Sequence, residues 1–538
     1  MFHQTKKNTV DRDTARVRYA RELLRHYRDA KQALDARLLA DEEFWKLRHG
    51  VYLSDPQDHR EQPTSAWLFN SIANRHADMV DAMPTSTCLA REKEDVEDAS
   101  MLSKIVPAIC ERCHFQSTYA DNAWGKLKHG VAAYGVFWNS ALEEGLGDID
   151  VCQIDLRNLY PEPGVRHLQD ARNLFYVTMS DREKLERHYR SYREAPESKK
   201  MPERTDAADY PCGQDKVTVV DWYYKVPRDD GGYVLHYAKF AGEVLLYASE
   251  DDPTYAENGW YRHGQYPFVL DTLYPESDSC YGFGLIRVAK DPQLYIDRMD
   301  RNLMEYMDWA SRVRFFAKKS AGINEEDFCN LNKRIVDVEG DLTDERLRQI
   351  TVNGLDDTVI EVKRLKVDEL KETTGSRDVS QGSTQNVTAA SAILALQEAG
   401  KKGSRDAIFT SFRAFEEIVT QMVELIRQFY DQPRCFRIAG EHGKDTYLTY
   451  TNEGIREKAV RSGDMTLYRR PAFDIIITAK EKSPTEKQLR NEFAMSLFRD
   501  GAFRPENAEQ TLMMLEMMDF DGIEKLRAQL EAYREKCK

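Results

Sequence analysis

No stretch of the 538-residue chain approaches the roughly 18 consecutive apolar residues that a membrane-spanning helix needs. Mean hydropathy is −0.65, so a soluble protein is expected. The opening Met1-Phe2-His3-Gln4-Thr5-Lys6-Lys7-Asn8 has no apolar segment behind it, and a secretory leader is not expected. Cysteine is sparse. There are nine, an odd count, and seven stand alone, which argues against a disulfide framework and for a reducing compartment. Positive charge is in deficit: 77 Lys and Arg face 91 Asp and Glu, for a net −14. Proteins that grip nucleic acid by neutralising phosphates are usually basic over the contact face, so the acidic total argues against tight wrapping of DNA and leaves a local basic patch open.

Catalytic signatures are also missing. The chain has no HExxH and no GxSxG, and Gly282-Phe283-Gly284 lacks the third glycine of a dinucleotide loop. Gly400-Lys401-Lys402-Gly403-Ser404 lacks the spacing with which a P-loop cradles phosphate, and it lies in helical sequence, where it reads as a kink with solvated lysines. With 91 carboxylates any chosen pair is uninformative, and the 12 histidines show no metal-ligand spacing. Cys110 and Cys113, followed by His114, form the one C-x-x-C. They read as buried small hydrophobes, or else as a redox pair or half a zinc site that lacks a second pair. A thiol-redox or metal-dependent enzyme using Cys110 and Cys113 is therefore the alternative function carried forward.

What the chain does have is aromatic weight, with 7 Trp, 27 Tyr and 22 Phe spread over its length. That excludes general disorder, and at about 150 residues each the length predicts three or four domains. Three- and four-residue apolar spacing predicts helices over 11–49 with Gly50 as C-cap, 66–83 ending at Pro84, and 102–130 with a start or kink at Pro107. Alternation predicts strands over 148–155 and 174–179, a charged helix over 181–192, and a hairpin over 216–247 turning at 229–232. Next comes a helix over 284–311, whose apolar face is Leu285, Val288, Tyr295, Met299, Leu303, Tyr306 and Ala310. Pro292 would suit its N1 position if it begins near Asp291. An insert with strand-like 313–317 and 334–338 leads to a helix over 358–373 that breaks at Gly375. Residues 376–387 contain no Leu, Ile or aromatic and read as a mobile loop. The longest helix follows, over 388–430, with Gly400 and Gly403 as kink points. A strand over 473–478 precedes Ser483-Pro484-Thr485-Glu486, a capping box with Pro at N1. Gly501 ends that helix, Pro505 opens another, and a terminal helix reaches Lys538.

The order of several short runs carries a family likeness. Tyr266-Pro267-Phe268-Val269-Leu270, Tyr274-Pro275, Cys280-Tyr281-Gly282-Phe283-Gly284-Leu285-Ile286, Asp291-Pro292-Gln293 and Asp300-Arg301-Asn302 resemble the approach to the first stem helix in portal proteins of tailed double-stranded DNA bacteriophages. Gly147-Asp148-Ile149 with Ile154 to Pro163 is similar to the wing segment of that family. Leu370 to Ala392 is similar to its stem end and tunnel loop, and Ile475 to Phe503 to its approach to the crown. The likeness spans about Trp45 to Asp521.

The resemblance implies a predominantly helical α+β portal fold. Residues 1–283 would be the wing, 284–311 the first stem helix, 312–357 the clip and 358–375 the second stem helix. The tunnel loop would be 376–388, the long wing helix 389–430, the wing return strands 431–482 and the helical crown 483–538. Because Lys538 follows the crown closely, a long C-terminal barrel is not expected.

It also implies a ring, usually of twelve copies, at one capsid vertex, around a channel through which double-stranded DNA is packaged and ejected. Expected partners are further copies of the chain, the large terminase subunit, major capsid or scaffolding protein and head-tail adaptor proteins, with no membrane and no cofactor. Assembly would take place in the host bacterial cytoplasm before residence in the virion. Channel-facing candidates are Ser376, Arg377, Asp378, Ser380, Gln381, Ser383, Thr384, Gln385 and Asn386. Lys371, Arg377, Lys401 and Lys402 are candidates for transient phosphate contacts, or else for solvated helix ends and salt bridges between subunits.

Overall fold

The computed structural model describes residues 2–50, 64–200, 216–228, 232–311, 314–317, 347–350, 356–375, 402–438, 446–462, 465–479 and 484–499, with the isolated positions 326, 354, 514 and 518. The chain divides into two compact units, the first 1–42, 72–287 and 375–538, the second 43–71 and 288–374. Length alone predicts three or four domains. The chain instead passes back and forth, so neither unit is continuous in sequence.

In chain order the first elements are α1 (Phe2–Trp45), α2 (Trp67–Asp81), β1 (Pro84–Ala90), α3 (Val96–Arg112), α4 (Phe115–His129), β2 (Val131–Asn139) and β3 (Asp148–Ile154). Then come β4 (Leu159–Pro161), β5 (Asn173–Asp181), α5 (Arg182–His188), α6 (Arg190–Glu194), α7 (Glu197–Lys200), β6 (Lys216–Pro227), β7 (Tyr233–Ala241) and β8 (Val244–Ala248). These are followed by β9 (Phe268–Thr272), β10 (Tyr274–Pro275), β11 (Gly282–Phe283), α8 (Leu285–Ser311), β12 (Arg314–Ala317), β13 (Leu347–Ile350) and α9 (Asp357–Thr374). The last are α10 (Lys402–Phe429), β14 (Arg434–Ile438), β15 (Thr446–Tyr450), β16 (Lys458–Ser462), β17 (Met465–Arg469), β18 (Phe473–Ala479) and α11 (Pro484–Arg499).

In the first unit β4 to β8 form an antiparallel meander in sequence order. Along β6, Val220, Trp222 and Tyr224 face Val17, Ala20, Leu24 and Tyr27 of α1, while Val217 and Val219 face Leu185 and Tyr192. Period-two alternation sends successive side chains to opposite faces, and here both faces are covered. Arg16 fixes α1 to the sheet's far end through Glu250 and Asp251, at 2.5 and 2.9 Å.

A second sheet, ordered β3-β2-β9, is packed by α4 and α10. Phe415, Ile418, Met422 and Ile426 recur every three or four residues on α10 and enter the largest core with Phe115, Tyr134 and Phe268. The strand predicted near 473–478 pairs antiparallel with Pro84–Ala90, nearly 400 residues earlier in the chain.

Several boundaries differ from expectation. Gly50 does not cap α1, which stops at Trp45. Leu47 takes the left-handed conformation (φ 59°), its N–H donates to Phe44 O at 3.0 Å, and the Arg48 N–H donates to Glu43 O at 3.2 Å. That is a Schellman closure with leucine where glycine is usual. The helix predicted over 102–130 is two, α3 and α4, broken at the left-handed His114 (φ 53°) and not at Pro107, which lies within α3. The helix over 181–192 is interrupted at Tyr189, which is extended. Helix α8 begins at Leu285, so Pro292 is interior and not at N1. In the insert, Arg314–Ala317 pairs with Leu347–Ile350, while the expected strand 334–338 lies outside the described residues.

Candidate functional site

The second unit centres on α8 and α9. The apolar face predicted for α8 is only partly its buried face: Leu285 is buried and Met299, Leu303 and Tyr306 partly so, but Val288 and Tyr295 are exposed, while Ala289, Gln293, Ile296 and Asp297 are fully buried. Polar residues occupy that face because they build a network. The Gln293 amide donates to Ser65 O, Ser65 Oγ and Asp297 Oδ1 at 2.8, 2.9 and 3.0 Å, and its Oε1 accepts from the Leu68 N–H at 3.0 Å. Asp297 also accepts from Ser65 Oγ at 2.8 Å and meets His49 Nδ1 at 2.6 Å. Every buried polar group is thereby engaged, as a desolvated cluster requires.

Further along, Lys363 of α9 pairs with Asp300 of α8, so the helices flanking the insert are linked side by side. Beyond that link the apolar residues turn outward. Met304 is 61% exposed, and Met307, Trp309, Val359 and Ile360 are exposed as well, as is Leu365 just behind the link. Several large apolar side chains exposed on one helix pair are what a surface awaiting a partner shows.

In the first unit the approach to α8 is a crossing of two backbones. Gly130 ends α4 with φ +91°, and Gly282 and Gly284 lie against the same turn. A Cβ on Gly284 would stand 2.6 Å from the Lys128 carbonyl carbon and 2.7 Å from Gly130 N. A Cβ on Gly130 would overlap the Phe283 carbonyl. The Tyr281-Gly282-Phe283-Gly284 run therefore has a steric cause, the close approach of main chain to main chain.

At the other end of the stretch, Gly375 (φ +71°) follows α9 and Gly403 lies in the first turn of α10, and the two glycines are neighbours in space. Helix α10 is held to the core by Lys126. Its buried ammonium reaches Asp271 Oδ1 at 2.5 Å, Ala407 O at 2.8 Å, Thr410 Oγ1 at 2.8 Å and Ser411 Oγ at 2.7 Å. Ser411 in turn donates to Asp271 Oδ2 at 2.6 Å. Burial holds the Lys126 ammonium below the ordinary lysine range, against the pull of Asp271.

Of the residues singled out from sequence, Ser376, Arg377, Asp378, Ser380, Gln381, Ser383, Thr384, Gln385, Asn386 and Lys401 lie outside the described residues. Lys402 is the first residue of α10. Lys371 is in the last turn of α9, its ammonium 5.5 Å from the centre of the Trp67 ring. Sequence reading missed Gly130, Lys126 and Asp271. A lysine four positions before a helix-ending glycine carries no signal that it will be buried.

Nothing in the geometry favours the thiol or metal alternative. Cys110 and Cys113 are half-buried thiols outside any disulfide, the Cys113 Sγ–H points at Cys110 O at 3.5 Å, and burial pushes the Cys113 thiol up to about 11. A reactive thiol needs the opposite shift. Among the described residues no three His, Cys, Asp or Glu side chains group to hold a metal, and no helix is long and apolar enough to cross a membrane.

The family model of phage P22-like portal proteins matches residues 70–536. The chain belongs to that family. A portal is a structural protein of the virion, an oligomeric ring associated with the capsid, and this chain has that portal role in a phage-like particle. The predominantly helical α+β architecture is that of a portal. No curated protein matches the chain. Among solved structures, a chain from the virion of a native gene transfer agent (GTA) particle is similar over 84% of this portal chain and 89% of its own length, with 9% identity and a TM-score of 0.40.

Proposed function

We propose that twelve copies of this portal subunit close into a ring at one capsid vertex and act as a non-enzymatic conduit for double-stranded DNA during packaging and ejection. The pairing of α8 with α9 through Asp300 and Lys363, on either side of an insert in which β12 pairs antiparallel with β13, supports this most directly, because a stem carrying a clip needs that arrangement. Residues 1–283 are then the wing, 284–311 and 358–375 the stem helices, 312–357 the clip, 389–430 the long wing helix, 431–482 the return strands and 483–538 the crown. The outward apolar residues of α8 and α9 suit contact between neighbouring copies. The clip docks the large terminase subunit, whose ATPase supplies the packaging energy, and later the head-tail adaptor proteins. Capsid or scaffolding protein surrounds the wing, and assembly takes place in the host cytoplasm.

Charge fits a conduit better than a clamp. Duplex DNA carries one negative charge per about 1.7 Å, and every phosphate neutralised by Lys or Arg adds salt-dependent affinity. Twelve subunits at −14 each sum to about −168, which repels the duplex from the walls. Residues 376–388 form the channel loop in this reading. Arg377, Lys401 and Lys402 supply brief phosphate contacts, and Lys371 supplies another when it leaves Trp67.

Deleting Gln381 to Asn386 is expected to leave rings of parental mass while lowering the DNA packaged or retained per particle, as measured by nuclease-protected DNA. Loss of ring assembly in that deletion would contradict the loop assignment.

A further inference from the structure

Between Gly375 and Gly403 the chain runs through 376–402, and the two glycines meet. A Cβ on Gly375 would stand 3.6 Å from the Gly403 Cα, which puts the two Cα atoms within about 5 Å of each other. Across both lies the guanidinium of Arg75, from α2. Its Nη2 is 2.7 Å from where a Gly375 Cβ would be and 3.1 Å from where a Gly403 Cβ would be. Three residues along the same helix, Asp78 accepts a hydrogen bond from Ser404 Oγ at 2.6 Å. Arg75 is 7% exposed and Ser404 3%.

A cation is a costly choice here. Burial penalises its charge, and it sits beside the N-terminus of α10, the end of a helix that repels positive charge. A neutral side chain would fill the volume at lower cost. What Arg alone offers is a rigid plate with five donors, thin enough to lie against two glycine Cα atoms at once.

We infer that Arg75 is a positioning residue: with Asp78 it clasps Gly375 against Gly403, so that the chain enters and leaves the intervening stretch at one closed neck fixed to α2. The purpose rests on the channel-loop reading, in which force on that segment from a passing duplex would reach α2 as well as α10. The clasp itself does not depend on that reading.

Trypsin digestion of assembled rings tests it, since Arg377 and Lys401 offer cleavage points inside the segment. Arg75→Ala should raise cleavage there about tenfold with ring mass unchanged, because cleavage follows the population of the opened form. Arg75→Lys should fail to restore protection, as an ammonium has no plate. Adding Gly375→Cys and Gly403→Cys to Arg75→Ala places thiols within disulfide reach, in space the arginine has vacated. Oxidation should return slow cleavage and a reductant should abolish it. Ser404→Ala, which keeps Arg75, should give a smaller rise and serves if Arg75→Ala does not assemble. Parental cleavage in intact Arg75→Ala rings, or no effect of the disulfide, would overturn the clasp. Faster cleavage with undiminished DNA retention would instead support the clasp and count against the channel-loop reading.

Discussion

Replacing Gly284 with alanine should cost the folded subunit about 3 kcal/mol or more, because the added methyl meets backbone on every side. The new Cβ would fall 2.6 Å from the Lys128 carbonyl carbon, 2.7 Å from Gly130 N and closer still to the Lys128 oxygen. A clash with a side chain is relieved by a rotamer change, whereas a clash with main chain requires one of the two strands of backbone to move. Neither is free to do so. Gly130 O accepts from the Leu273 N–H at 2.8 Å, and Gly282 O accepts from the Arg37 guanidinium at 2.7 Å. Gly130→Ala should cost a similar amount, with the left-handed φ adding to the overlap. Gly354→Ala, with open space around it, is the control and should stay within about 0.5 kcal/mol of the parent. Urea unfolding followed by circular dichroism measures all three. A Gly284→Ala midpoint matching that of Gly354→Ala would contradict the crossing.

Asp271→Asn should destabilise the subunit by about 3–5 kcal/mol at neutral pH, as expected when one member of a buried ion pair is removed. Lys126 would keep its three neutral acceptors on α10 and lose the one charge that compensates its burial. The sign of the pH dependence follows. Burial already lowers the Lys126 value in the folded state, and without Asp271 nothing of comparable size opposes it. The unfolded chain then binds that proton more tightly than the folded one, so stability rises with pH up to the ordinary lysine value near 10.4. The deficit of Asp271→Asn should therefore narrow between pH 7 and about 10. The double variant Lys126→Met, Asp271→Leu should recover much of the loss, since a matched apolar pair carries no desolvation penalty. A deficit that is small, or that does not change with pH, would contradict this account of how α10 is held.

How much of this was legible beforehand depended on whether the signal was local. Periodicity from Phe415 to Ile426 of α10 marks its buried face, because there the apolar residues alone do the packing, whereas the exposed Phe409 and the two covered faces of β6 show where pattern alone does not settle burial. The same reasoning placed the face of α8 only in part, because Gln293 and Asp297 are buried there to bond Ser65, Leu68 and His49. Residues that lie far apart in sequence supply that network. The break at His114 has neither glycine nor proline at it, and the leucine closure of α1 at Leu47 is equally unmarked. The pairing of β1 with β18 was hidden by the length of chain between them. Gly375 and Gly403 were readable only as a helix break and a kink, and their meeting against Arg75 is a tertiary fact. The ordered run from Tyr266 to Asn302 did carry the family, and Gly282 and Gly284 within it have a steric cause.

The central claim is that copies of the chain close into a hollow ring. Electron microscopy of the purified protein, with its mass measured in solution, tests that claim most directly. Closed particles of one copy number, with a central opening wide enough for a DNA duplex, are the predicted result. A monomer that persists at high concentration and in the presence of capsid components would contradict it.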